Sequence, residues 1–186
     1  LRGWIGRDAG PGGVGVGVIG RGLAEEFAQA AEVVLRIEHR RVGERRVLVQ
    51  KDVATPYLAV GWHVPAAKHE DYYALSILSD LLTAGRSSRL YSALVDKQQL
   101  ATQVFSSFGE SFDPYLFTIA GVTSKNVNEL DLEKAIYAEL EKIKKEGVSE
   151  TELQKIKNIK LMDFYSQVET INGKSNNIGT YEVFFG

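Results

Sequence analysis

Gly85-Arg86-Ser87-Ser88-Arg89-Leu90-Tyr91-Ser92-Ala93-Leu94-Val95-Asp96-Lys97-Gln98-Gln99-Leu100-Ala101-Thr102 is the stretch whose reading decides the fold. Gly85 ends the helix before it, because glycine enters the left-handed C-cap conformation without steric cost. Ser87 or Ser88 can then cap a second helix, predicted to run through about Gln98. Ala101 opens a strand that continues to Phe108. A helix pair feeding directly into a strand is the order of an α+β layer, not of alternating βαβ units.

Upstream, a helix from roughly Glu70 to Thr83 has acids in its predicted first turn, where they suit the helix dipole, and stacks Tyr72, Leu75, Leu78 and Leu82 at helical spacing. From Tyr57 to Val64 the chain alternates, which places Leu58, Val60, Trp62 and Val64 on one strand face and makes Trp62 a core residue; Pro65 ends the strand. Further back, a Gly-rich opening leads to a strand at Val14 to Ile19, an Ala/Glu-rich helix at Leu23 to Val34, a basic connector and a strand at Arg46 to Lys51.

Downstream, Tyr115 to Val122 is a strand that pairs with Ala101 to Phe108 as a hairpin, the Gly109 to Pro114 segment supplying the turn. Two long helices follow. Leu132, Ile136, Leu140 and Ile143 stripe the first, and Gly147 ends it. Ser149-Glu150-Thr151-Glu152 is a capping box for the second, which carries Leu153, Ile156 and Phe164. The tail from Asn172 to Gly186 mixes Gly173, Asn176, Asn177 and Gly179 with Tyr181, Val183, Phe184 and Phe185, an apolar end costly to leave in water. The order predicts an α+β fold, a mostly antiparallel sheet covered on one face by helices, in a single domain over 1–186 with no linker to divide it.

Composition fits one globular domain: 186 residues, 44% hydrophobic, 10% aromatic and 25% charged. The formal net charge of −2 draws the chain toward no polyanion, and Arg40-Arg41 with Arg45-Arg46 are balanced by Glu38 and Glu44, so this cluster reads as a solvated turn and no nucleic-acid partner is expected. The absence of cysteine excludes disulfides and thiolate zinc sites and leaves periplasm and cytoplasm equally open. No apolar run approaches the roughly 20 residues that span a bilayer. A chain that begins at Leu1 is expected to be a piece excised from a longer protein, and no targeting segment is legible in it.

Chemistry-bearing patterns are sparse. His39, His63 and His69 form neither H-x-x-E-H nor H-E-x-x-H nor any pair spaced to put two imidazoles on one helix face. His63 lies on the strand face opposite Trp62 and His69 at a helix start, so both read as structural or surface residues. Gly-x-Ser-x-Gly is absent, and Gly85 to Ser88 reads as a stop and a cap instead of a nucleophile elbow. Asp131 with Glu133, and Glu150 with Glu152, read as solvated acids at helix starts. Gly15-Val16-Gly17-Val18-Ile19-Gly20 matches G-x-G-x-x-G, with Glu38 placed as a ribose-binding acid. Its glycines, however, would lie inside the strand, not in the turn after it, and the shifted frame from Gly20 puts Glu25 where a small residue is needed. No catalytic, cofactor-binding or metal-ligating residue is therefore assigned.

Gly61-Trp62-His63-Val64-Pro65, Glu70-Asp71-Tyr72-Tyr73-Ala74-Leu75, Gly85 to Tyr91, Leu100-Ala101 and the helix start from Gly147 to Leu153 together resemble the second, non-metal-binding domain of the pitrilysin/insulinase-type zinc metallopeptidases, the inverzincins, which include mitochondrial processing peptidase. The resemblance implies half of a clamshell of related domains around a chamber. In that arrangement another domain bears H-x-x-E-H, with two histidines and a distant glutamate on zinc and the motif glutamate acting as base. In many members the second domain adds an Arg and a Tyr, spaced L-R-x-x-x-x-L-A-Y, that reach the substrate. This chain has Leu94-Val95-Asp96-Lys97-Gln98-Gln99-Leu100-Ala101-Thr102, with Val95 in place of the Arg and Thr102 in place of the Tyr. The resemblance thus implies a non-catalytic, chamber-forming and substrate-contacting domain of a bacterial-type zinc peptidase. It implies zinc in the missing catalytic half, and as partners an H-x-x-E-H-bearing domain, a peptide substrate and a second subunit in a dimer. A structural core subunit without proteolysis and a dinucleotide-binding domain are the alternative expectations.

Overall fold

The computed structural model describes residues 16–20, 45–49 and 56–186. The predicted helix at Leu23 to Val34, the connector after it and His39 lie outside the described residues. Among the described residues five strands form one sheet: β1 (Val16–Gly20), β2 (Arg45–Val49), β3 (Tyr57–Val64), β4 (Ala101–Ser107) and β5 (Tyr115–Thr123), in the order β2-β1-β3-β5-β4. β1 runs parallel to β2, while the β1–β3, β3–β5 and β4–β5 pairs are antiparallel. The sheet is therefore mostly antiparallel, as predicted, and β4–β5 is the predicted hairpin. Gly17 and Gly20 sit in the β1 ladder opposite Arg46 and Val49, within the strand as the reading against a phosphate-binding turn required.

The core explains which face carries helices. Leu58, Val60, Trp62 and Val64 of β3 stand opposite Gly121, Ile119, Phe117 and Tyr115 of β5, and Leu58, Val60, Val64, Phe117 and Ile119 feed one apolar cluster with Trp62 packed against it. Onto that face pack α1 (Tyr72–Thr83), a π-helix (Tyr91–Lys97) and α2 (Glu129–Glu146), with α3 (Glu150–Val168) behind α1. Leu82, Leu90, Leu94, Ile119, Leu132 and Ile136 are wholly inaccessible, each worth roughly 1.5–3 kcal/mol of transfer free energy. Trp62 is half-buried at the rim, 6.4 Å from the Phe117 ring and 6.0 Å from Tyr137.

Several local expectations are corrected. α1 starts at Tyr72, so Glu70 and Asp71 precede the helix instead of lying in its first turn; a tight turn with Tyr72 N–H donating to the His69 carbonyl occupies their place. Ser88 donates to the Gly85 carbonyl at 2.7 Å and caps nothing. The helix after it winds as a π-helix, with Gln98 N–H reaching the Ala93 carbonyl at 3.0 Å, and it buries Ala93 and Leu94. Arg45 and Arg46 belong to β2, not to a solvated turn, and Arg46 forks onto the buried carboxylate of Glu133 at 2.6 and 2.9 Å. Of the stripe predicted for α3, only Ile156 is buried and Phe164 is exposed. The tail forms α4 (Ile171–Phe185), capped by Thr170, whose hydroxyl accepts from Gly173 N–H.

The predicted stops hold. Gly85 and Gly147 carry φ of +77° and +76°, and Ser149 with Glu152 form the reciprocal capping box of α3. Gly121 serves close packing: a Cβ there would meet Leu132 of α2 at 3.1 Å and the Gln103 carbonyl at 3.4 Å. Gly121→Val is expected to wedge α2 from the sheet and cost about 1–3 kcal/mol, read as a lower urea midpoint at unchanged slope. An unchanged midpoint would show that the helix does not depend on this contact.

Candidate functional site at the π-helix to β4 corner

The corner begins with a buried leucine and ends with a buried alanine. Leu94 is wholly inaccessible in the π-helix and Ala101 is 2% exposed at the start of β4. Between them Gln99 takes a left-handed φ of +54°, which reverses the chain. Leu100 fixes that reversal, its N–H donating to the Leu94 carbonyl at 2.9 Å and its carbonyl accepting from Ser124 N–H at 2.9 Å.

Thr102 follows as the residue of a bulge, since Ala101 pairs with Thr123 and Gln103 with Val122. Its side chain is exposed, and its hydroxyl donates to the Val122 carbonyl across 3.4 Å. Val95 is partly buried against the core. The corner therefore carries three methyl groups and a short hydroxyl where the resemblance places a guanidinium and a phenol. Neither residue can supply a charge-assisted hydrogen bond to a developing oxyanion.

Arg89, unremarked in the sequence beyond its motif, joins the start of the helix that leads to this corner to α3. Its Nε and Nη2 donate to the two Glu152 oxygens at 2.9 and 2.8 Å, and Nη2 also reaches the Gly147 carbonyl at 3.1 Å. Glu152 further accepts from Ser149 N–H at 3.1 Å and from Ser149 Oγ at 2.8 Å. The Arg89 hydrogen bonds, aided by those of Ser149, outweigh desolvation and bring the Glu152 carboxyl from the ordinary 4.5 down to about 2. Glu152 was legible as a cap but not as the partner of a residue 63 positions away.

Metal ligation finds no support in these residues. Among the described residues no three His, Asp or Glu side chains come close enough to hold an ion. His69 is engaged locally, its Nδ1 accepting from Asp71 N–H at 3.2 Å, and His63 lies on β3 opposite Leu116. The donor set of the described residues does not fit zinc.

The description "Peptidase M16 inactive domain" matches residues 26–160. The chain belongs to this family. Zinc protease PqqE of Helicobacter pylori is 42% identical over 134 residues, which is 72% of this chain and 30% of that protein. Uncharacterized zinc protease YmxG of Bacillus subtilis is 27% identical over 137 residues, 74% of this chain and 33% of that one. The crystal structure of a protease from Helicobacter pylori superposes with a TM-score of 0.68 at 39% identity, covering 72% of this chain and 32% of that one. The chain thus spans about a third of the length of the curated relatives it matches. Within this M16 inactive domain the residues quoted for the resemblance prove to be fold-bearing: Leu90, Leu94 and Ala101 are buried, and the Gly85 and Gly147 segments meet through Arg89 and Glu152.

A carboxyl whose folded pKa lies below its ordinary value stabilises the fold above that ordinary value and loses the contribution as it is protonated. The Glu152 contribution should be complete above pH 4.5 and vanish as pH falls through about 2. Glu152→Gln should therefore melt below the parent protein at neutral pH, with the gap closing toward pH 2 in thermal scans. A gap that stays constant across that window would remove the ion pair from the account.

Proposed function

We propose that this chain is the non-catalytic, chamber-forming and substrate-contacting domain of a zinc-dependent peptidase, acting beside a domain that bears H-x-x-E-H on the same polypeptide or on a paired subunit. The observation that carries the reading is the corner itself. Its scaffold of Leu94, Leu100 and Ala101 is intact, while Val95 and Thr102 carry no group able to polarise a peptide carbonyl. Family membership and the zinc protease names of the relatives support the same assignment.

Zinc, and with it the activated water, belongs in this reading to the other domain. What this domain can offer a peptide is shape and backbone. β4 is an edge strand of the described sheet, and Thr102, Gln103 and Phe105 are exposed along it. An edge strand leaves a row of backbone N–H and C=O groups open to an extended peptide, and side chains on alternate positions then grade what fits.

The isolated chain is expected to bind no stoichiometric zinc and to cleave no peptide. Val95→Arg combined with Thr102→Tyr should create no activity in the chain alone, because an Arg and a Tyr only assist a nucleophile made elsewhere. Peptide cleavage that EDTA abolishes, in contaminant-free chain, would overturn the reading; metal analysis by mass spectrometry gives the independent check.

A further inference from the structure

Arg86 and Lys155 differ from the cations next to them. Arg89 is bound by both Glu152 oxygens, and Lys160 pairs with Asp80 at 2.7 Å. Among the described residues no carboxylate lies within ion-pair distance of Arg86 or Lys155. What both face is a hydroxyl. Lys155 Nζ donates to Ser87 Oγ, beside Arg86 in the chain. The Arg86 guanidinium lies 6.0 Å from the centre of the Tyr91 ring, and hydrogen bonding with the Tyr91 hydroxyl is the main influence that holds it in its charged form.

The turn that carries Arg86 is closed. Gly85 holds φ at +77°, and its carbonyl accepts from the Ser88 N–H at 3.1 Å and from Ser88 Oγ at 2.7 Å. Ser88 is itself buried, so the turn is tied to the body of the domain from below. Arg86, by contrast, is exposed. A guanidinium carries more N–H donors than one phenol can occupy, and the remaining donors are open to a ligand. A fork already held against an aromatic ring loses less side-chain freedom on binding than a free one, and its planar geometry matches the two oxygens of a carboxylate.

Asp96 is the carboxylate whose charge is felt at Arg86 without pairing with it. Two cations against one anion leave this patch singly positive, which suits a carboxylate better than a doubly charged phosphate. Tyr91 and Asp96 are one i to i+5 turn apart on the π-helix, and Val95 adjoins Asp96, so the patch lies a single helical turn from the Val95–Thr102 corner. We propose that Arg86, held by Tyr91 and flanked by Lys155, anchors a carboxylate of a peptide lying at that corner, which makes acidic peptides the preferred class; the inference rests on the function proposed above. The carboxylate comes either from an Asp or Glu side chain or from the peptide's own C-terminus.

Three peptides of one sequence, each with a rhodamine at the N-terminus, serve as probes: one with a central Asp and an amidated C-terminus, one with Asn in its place and the same amide, and one with Asn and a free C-terminal carboxylate. Binding to the full-length protein is read by fluorescence anisotropy in 1,10-phenanthroline, which withholds zinc and stops cleavage. A carboxylate-bearing peptide should bind about fivefold more tightly than the Asn amide, the size of effect an exposed bidentate pair supplies, and the peptide that does so identifies the source of the carboxylate. Arg86→Gln should abolish the difference at an unchanged unfolding midpoint, Arg86→Lys should keep part of it, and Asp96→Asn should widen it. Equal affinities for the three peptides, or a preference that survives Arg86→Gln, overturn the anchor; if zinc-dependent cleavage of the same peptides is intact, the proposed function stands. Equal affinities together with Arg86-dependent binding of inorganic phosphate, read by titration calorimetry, overturn it in favour of a phosphate site. A preference that Arg86→Gln removes, in a protein that cleaves none of the peptides once zinc is restored, keeps the anchor and overturns the proposed function.

Discussion

The fork between Arg89 and Glu152 is the constraint from which the arrangement of helices follows. It joins the segment after α1 to the start of α3, and through the Gly147 carbonyl it also fixes the turn that ends α2. Both side chains are partly withdrawn from water, at 19% and 35% exposure, and the Glu152 oxygens accept from Arg89 and Ser149 together. A bidentate, charge-assisted pair of this kind is directional in a way that the i,i+3 pairs of Lys134 with Asp131 or Lys144 with Glu141 on the surface of α2 are not. Lys155 on Ser87 and Lys160 on Asp80 and Ser76 support the same arrangement from α3, above the buried Leu90 and Ile156.

What the sequence disclosed was local. Gly85, Gly147 and the Ser149–Glu152 box act within one or two turns of chain, so their residue types alone predict where helices stop and start. The β4–β5 hairpin and the stripe Leu132, Ile136, Ile143 follow from alternation and helical spacing in the same way. The misses share a different cause. Arg46 with Glu133 and Arg89 with Glu152 are separated by 87 and 63 residues, and no local pattern announces such a partner. The π-helical winding of Tyr91–Lys97 leaves no trace in the spacing of Leu90, Ala93 and Leu94, which would share one face of an ordinary α-helix as well. α4 reverses its weak propensity through tertiary contact: Thr170 caps it, the missing Cβ of Gly173 avoids a collision with the Gln167 carbonyl, and Phe184 and Phe185 hold its end.

The corner at Val95 and Thr102 separates stability from chemistry atom by atom. Leu94 and Ala101 are buried and Leu100 holds the reversal through its backbone, so the turn persists whatever stands at the two variable positions. Thr102 occupies a bulge, where the ladder is already interrupted and a side chain can change without loss of a strand bond. Val95 lies partly against the core, so a branched aliphatic there adds apolar contact that a guanidinium head would have to keep in water. The corner thus keeps its packing and its backbone hydrogen bonds with Val95 and Thr102 in place. The fold therefore exerts no pressure to retain the Arg and the Tyr, and recognition of the family through packing residues is compatible with the loss of the groups that would touch substrate.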